Sequence, residues 1–426
     1  MRRELLDLIG CPACSKFALV VEQANEQDIQ YQNGHVCEIE SGIVVCDTCG
    51  ACYPIEGYVL SFAERLDPGV RSDGAFWGAF YSQHYEQGFH GFMDTTSEPV
   101  PFLTQGIPES IPFDGEEWCG VHVQLAEHRW VRSGGRVVDI GVGAGWSSLF
   151  LARRGFDVIA FDPALELMQL AKRHAISCGV YLEYLCSDMA NVYVREKSVD
   201  AVFALHSLHH VPDIEGALQV IHRMLCTGGC LAVDDHLQDV RRNLDLRHGL
   251  ILEAEESIFP AYRKEQNALV LPSHHSENEG VGMGEVLQTI EKYLHVDDVQ
   301  YRHINFDILV PLAYLKFNRS MEALAYTAEL VNFIHNAMRR TWPDTVEYMT
   351  LVAQKREQLP DQPVFSPPPV DRDANITQQV EMYEQELKRL HTVVAEKNVH
   401  IQRIERLLER IENGRLLRLL RWVGRR

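Results

Sequence analysis

The sequence predicts an α/β fold built on a doubly wound, Rossmann-like sheet, and three observations carry that expectation. Apolar runs of strand length alternate with helix-like segments from residue 136 onward. The first run, Val137, Val138, Asp139 and Ile140, opens into a glycine turn at Gly141, Gly143 and Gly145. Acids then follow the second and third runs, at Asp162 and Asp188. Buried strands alternating with helices are what a parallel sheet covered on both faces requires. Ligands bind such sheets at the carboxyl ends of the strands.

The elements follow in order. The glycine turn lets the backbone reverse sharply and a ligand lie against it with no Cβ in the way. A dinucleotide fingerprint would need a glycine at position 146, which is Trp146, so the pattern is D-x-G-x-G-x-G. A helix is expected over 147–154 and a second strand over 157–161, ending at Asp162, which is placed to accept hydrogen bonds from ribose hydroxyls. The next helix, 163–177, has Leu165, Met168 and Ala171 or Lys172 at helical spacing. A third strand, 181–185, leads to Ser187, Asp188 and Met189, and a fourth, 199–205, leads to His206, Ser207, Leu208, His209 and His210. After a helix at 213–224 and the turn Cys226 to Cys230, the fifth strand, 231–233, ends at Asp234, Asp235 and His236.

This succession of turn, acids and strands resembles the class I S-adenosylmethionine-dependent methyltransferases. The resemblance implies a methyltransferase domain over 136–356 with S-adenosyl-L-methionine as cofactor. It places Gly141, Gly143 and Gly145 on the methionine end, Asp162 on the ribose and Asp188 on the adenine amino group. Asp139, Met189 and His206 complete the cofactor-binding set. An insertion at 237–280 holds His248, Glu253, His274, His275 and Glu277. A helix at 283–294, helices within 308–340, and sixth and seventh strands at 299–305 and 348–353 finish the domain. The layout is also similar to methyltransferases of bacterial cell-surface polysaccharide assembly.

A separate signal lies in residues 1–62. Cys11 and Cys14 are matched by Cys46 and Cys49, two C-x-x-C pairs whose thiolates can converge on one structural zinc ion, the alternative being two pairs without metal. Residues 31–40 between them are suited to a hairpin, and Cys37 and Cys52 read as structural thiols. The leading Leu5-Leu6-Asp7-Leu8, the C-P-x-C and the C-x-x-C-G-x-x-Y-P-I of residues 4–62 resemble the zinc-ribbon activator proteins of tRNA and rRNA methyltransferases. That likeness implies a regulatory or stabilising module.

Residues 63–135 connect the two and are rich in aromatics. Trp77, Tyr81 and Tyr85 share one helical face and Phe76 and Phe80 another; Phe89 and Phe92 follow. They serve core packing or a lid over the cofactor, and residues 118–130 read as a helix. Beyond 356 comes a proline-rich linker, 357–375. Val380, Tyr383, Leu387, Leu390, Val394, Lys397, Ile401, Ile404, Leu408 and Ile411 then space out a coiled coil over 376–412, implying a homo-oligomer. The last segment, 413–426, sets arginines around leucines and Trp422, suiting an anionic membrane surface, a partner protein, or solubility alone.

Composition narrows the partners. A net charge of −20 opposes extended contact with nucleic-acid backbones. Eleven cysteines read as reduced thiols, which points to the cytoplasm, with the basic end peripheral to the inner face of the membrane. An activated methyl needs an aligned nucleophile and, for a hydroxyl, a base. His210 and His236 lead as candidates, followed by His209, with Asp234 or Asp235 orienting a histidine or binding a divalent metal. Three functions compete: O-methylation of a small molecule or glycan, methylation of RNA, and a non-catalytic scaffold.

Overall fold

The computed structural model describes residues 1–86, 124–236, 283–302 and 348–356. The insertion, the linker, the coiled-coil segment and the basic end lie outside the described residues. Near the amino end come a short β1 (Ile9–Gly10), the long hairpin β2 (Leu19–Tyr31) and β3 (Gly34–Cys46), then β4 (Cys52–Glu56), β5 (Val59–Ser61) and the helix α1 (Pro68–Glu86). The expected hairpin is much longer than residues 31–40, although its turn, at Gln32 and Asn33, falls there.

The alternating elements follow: β6 (Arg136–Ile140), α2 (Trp146–Arg153), β7 (Asp157–Asp162), α3 (Leu165–Ser177), β8 (Glu183–Cys186), β9 (Tyr193–Val194), β10 (Val199–Leu205), α4 (Ile214–Met224), β11 (Leu225–His236), α5 (Met283–Tyr293), β12 (His295–Arg302) and β13 (Tyr348–Gln354). Five neighbouring strands, β8, β7, β6, β10 and β11, run parallel. β13 lies antiparallel between β11 and β12, so the sheet is mixed.

Strand alternation divides the core into two layers. Val137, Val158, Ala160, Ala201, Phe203 and Leu205 point to the side carrying α2 and α3. Val138, Ile140, Ile159, Phe161, Val202 and Ala204 point to the side carrying α4 and α5. In α4, Asp213 caps the start by accepting the Gly216 N–H at 2.9 Å, and Ile214, Ala217, Leu218, Ile221 and Met224 bury one face at spacings of three and four.

Three expected boundaries move. The helix expected at 118–130 is helical only over 124–126 among the described residues and turns at 127. β11 starts at Leu225, because Gly228, at φ +82°, forms an irregularity inside the strand: Val199 faces Leu225, and Ala201 already faces Cys230. β12 starts at His295.

The amino-terminal hairpin joins the same sheet. β5 pairs parallel with β8, Leu60 facing Leu185 and Ser61 facing Cys186. β1 pairs with β9. The hairpin turn rests on the end of α3, where Gln32 N–H donates to Gly179 O at 2.8 Å. Between these contacts lies a buried ionic cluster. Lys172 of α3 is fully buried, 2.7 Å from the Glu38 carboxylate of β3, and donates to Leu182 O at 3.0 Å. The Met1 nitrogen and the Tyr31 hydroxyl also donate to Glu38. Among the described residues, no helix is long and apolar enough to cross a membrane.

Candidate functional site

The carboxyl ends of β6, β7, β8, β10 and β11 converge on one side of the sheet. The glycine turn is the floor of that side. Gly141, Gly143 and Gly145 adopt φ of +66°, +51° and +82°. Their surroundings differ. A Cβ on Gly141 would lie 2.4 Å from Ser207 Cβ, and one on Gly145 would lie 2.6 Å from Ala171 Cβ. A Cβ on Gly143 would meet nothing within 4 Å. The outer two glycines let protein pack, whereas the middle one faces open space.

Asp162 closes the turn from β7. One carboxylate oxygen accepts the Gly143 N–H at 2.9 Å and the other accepts the Ala164 N–H at 2.8 Å. Burial pushes its pKa up to about 6 despite those two donors. Each oxygen retains a lone pair for a further donor, such as a ligand hydroxyl. Asp188, at the end of β8, accepts from the Asn191 main chain and side chain, both at 2.8 Å through one oxygen, and Met189 behind it is buried.

Asp139 has a different task from the other acids. It lies under the turn, and one oxygen accepts from Ser147 Oγ at 2.6 Å and Ser148 Oγ at 2.8 Å. Burial pushes its pKa up to about 7. It anchors the start of α2 instead of facing the open space above Gly143.

The histidines divide between two acids. His206 stands at φ +57°, an uncommon conformation for a residue with a side chain, and its Nε2 lies 3.5 Å from an Asp234 oxygen. Asp234 also accepts from Thr350 Oγ1 at 3.0 Å. His209 is 2.5 Å through Nδ1 from Asp235, which also accepts the main-chain N–H of Leu208 and His209 at 2.8 and 3.2 Å. The His210 ring centroid lies 3.9 Å from that of His209. His236 ends β11, and its side chain lies outside the described residues.

α1 adds Gly74, which sequence reasoning passed over, to the aromatic Trp77, which it named. A Cβ on Gly74 would be 3.0 Å from Pro163 C and O, so Gly74 lets α1 pack against the chain just after Asp162. Trp77, on the same helix, meets the His210 ring edge-on at 6.4 Å. A glycine inside an aromatic-rich helix was the available signal. Of the aromatics expected in α1, Phe76 and Trp77 have described side chains.

A second cluster lies at the open end of the hairpin, on the segment before β2 and at and just after the end of β3. The sulfurs of Cys11, Cys14, Cys46 and Cys49 all lie within 4.8 Å of one another. Cys11 and Cys49 are 3.7 Å apart, and Cys14 and Cys46 are 3.6 Å apart. Zinc–sulfur bonds near 2.3 Å in a tetrahedron separate sulfurs by roughly 3.8 Å, so the four thiols fit that ion. Burial raises the Cys46 pKa, but the main-chain N–H groups of Cys49 and Thr48, together with the Cys14 and Cys49 thiols, outweigh it and bring the thiol down to about 7. Cys37 and Cys52 are exposed and stand outside the cluster.

Residues 138–233 match a family model described as a methyltransferase domain. That segment is a methyltransferase domain. It covers the glycine turn, Asp162, Asp188 and both His206 and His209. The domain is similar to ubiquinone biosynthesis O-methyltransferases. It is 33% identical over 112 residues to that of Xanthomonas axonopodis pv. citri (strain 306), covering 26% of this chain and 47% of the relative. With that of Xylella fastidiosa (strain 9a5c) it is 34% identical over 114 residues, covering 26% and 46%. The chain thus spans about half the length of these relatives. Geranyl diphosphate C-methyltransferase from Streptomyces coelicolor A3(2) superposes with a TM-score of 0.36 and 15% identity, covering 56% of this chain and 79% of that one. At that level the likeness carries no functional weight.

Proposed function

We propose that the chain transfers a methyl group from S-adenosylmethionine to a hydroxyl of a small molecule. The observation that carries this reading is the cradle at Gly143. Within a methyltransferase domain, it is the glycine of the turn that faces open space, and Asp162 holds its N–H. Asp162 and Asp188 are then available to the hydroxyls and amino group of a nucleoside. Bound S-adenosylmethionine supplies a methyl already activated on a sulfonium. The chain's own residues orient it, keep water away beneath α1, and present histidines where the acceptor enters. The relatives named for ubiquinone O-methylation support a small hydroxyl acceptor, and a glycan of the cell surface is a narrower form of the same reading.

Calorimetry with S-adenosylmethionine tests the cradle. The native chain should bind, and Asp162→Ala should lose a charge-assisted bond of about 1.5–3 kcal/mol, a drop of about tenfold or more. Unchanged affinity in both Asp162→Ala and Gly143→Val would remove the reading. Transfer of labelled methyl to cell extract, sorted into RNA, protein, lipid, polysaccharide and small-molecule pools, then identifies the acceptor class.

The four thiols hold one structural zinc ion in this reading, since a closed set of four cysteines leaves no open position for chemistry. Elemental analysis should find one equivalent, and a fully folded metal-free protein would count against it.

A further inference from the structure

Methyl transfer to oxygen poses a problem that binding does not solve. A neutral hydroxyl must lose its proton as the new bond forms, whereas a carboxylate acceptor has none to lose. The residues at the ends of β10 and β11 address that need.

Asp234 and Asp235 are consecutive in β11, so their side chains leave on opposite faces. Asp235 is fully buried and meets three donors: the main-chain N–H of Leu208, that of His209, and the His209 ring. A carboxylate held from three directions fixes the ring plane of His209. Because a carboxylate only accepts, it also sets the hydrogen on Nδ1. Nε2 is then the ring nitrogen that carries no hydrogen. A buried acid–histidine pair is a poor way to gain stability, since apolar side chains of the same size would serve as well or better.

The pair also sits in the right place. Ser207, two residues before His209, is the residue that crowds Gly141, so the histidine turn abuts the cofactor turn directly. His210 lies against His209, its ring tilted at 43°, and meets Trp77 of α1, the helix that also packs beside Asp162. The pair and the cradle therefore share one roof.

We infer that His209, positioned by Asp235, is the base that takes the proton from the acceptor hydroxyl, and that the acceptors are alcohols or phenols. The inference rests on the methyl-transfer reading. As the acceptor oxygen bonds to the methyl carbon, the carbon–sulfur bond breaks and its electron pair stays on sulfur. The hydroxyl proton passes to Nε2 of His209, and Asp235 balances the imidazolium that results.

The test uses the full chain, S-adenosylmethionine labelled in the methyl group, catechol, and the small-molecule fraction of cell extract. His209→Ala and the bulkier His209→Gln should keep cofactor affinity within about twofold. They should lower kcat by about 100-fold or more with little change in KM, the range expected for a general base. Added imidazole should restore part of the rate in His209→Ala, and Asp235→Asn should lower kcat without imidazole rescue. Both His209 variants methylating at the native rate would overturn the inference, as would a loss in His209→Ala that imidazole leaves untouched. Transfer to carboxylates alone would overturn it while leaving methyl transfer standing. A native chain that binds no S-adenosylmethionine, or binds it and methylates nothing, would remove the parent reading and the base with it.

Discussion

Replacing Lys172 with methionine tests how the amino-terminal hairpin is held to the methyltransferase domain. Lys172 and Glu38 are both fully buried and 2.7 Å apart. Removing one partner of such a pair costs about 3–5 kcal/mol, because the other charge stays buried. The Met1 nitrogen and Tyr31 still donate to Glu38, which favours the lower end. Leu182 O loses its Lys172 donor, and an unmet buried acceptor adds about 1 kcal/mol or more. A net loss of about 4 kcal/mol is a large part of the 5–15 kcal/mol typical of a folded domain. Urea unfolding followed by tryptophan fluorescence should show it. Lys172→Met together with Glu38→Leu should recover most of the loss, since neither charge is then stranded. The pH dependence has a defined sign. Burial raises the Glu38 pKa, but Lys172 and the Met1 nitrogen outweigh it and hold the carboxylate below its ordinary 4.5. Its contribution is therefore present above that value and lost as pH falls through the lower, folded value. Lys172→Met should flatten this acid limb. A single variant within about 0.5 kcal/mol of the native chain, or a double variant no better than the single, would refute the argument.

Three further outcomes are expected. Gly141→Ala should both destabilise the fold and abolish cofactor binding, because its Cβ would fall 2.4 Å from Ser207 Cβ; Gly143→Ala, facing open space, should weaken cofactor binding more than it destabilises the fold, and calorimetry with thermal unfolding separates the two. Asp139 has its pKa raised from 3.8 to about 7, so its contribution is full below the unfolded value and is lost as pH rises toward 7. Asp139→Asn should remove that decline, worth about 4 kcal/mol at most, in unfolding curves between pH 4 and pH 8. A chain ended near Pro360 should lose self-association while keeping cofactor affinity, because the proposed coiled-coil seam at 376–412 is then gone; equal sedimentation of the two chains would count against the seam.

What was legible in the sequence was local. The glycine turn, the acids after β7 and β8, and the two C-x-x-C pairs each lie within a few residues, and tight turns dictate their spacing. The pairing of β5 with β8 was not legible, because it joins Leu60 to Leu185 through three residues of strand with no local mark. Lys172 sat at helical spacing beside Ala171, and a lysine there reads as solvated until Glu38 arrives from a distant hairpin. The histidines were visible as a group after β10. Their ranking was not, because it depends on which ring Asp235 reaches across from β11.

The junction of β5 with β8 bears on how the sheet avoids pairing edge to edge with a second copy. Without the first 62 residues, β8 would present a row of unmet amide and carbonyl groups, a template on which another chain could add a strand. With the hairpin in place, the outermost strand on that side, among the described residues, is β2, which carries exposed Glu22, Glu26 and Asp28. Charged groups along that margin, Glu26 paired with Arg3 and Asp28 beside His35 among them, are costly to bury against a second copy. The amino-terminal segment thus caps that edge, and a methyltransferase domain produced without it should precipitate for want of the cap.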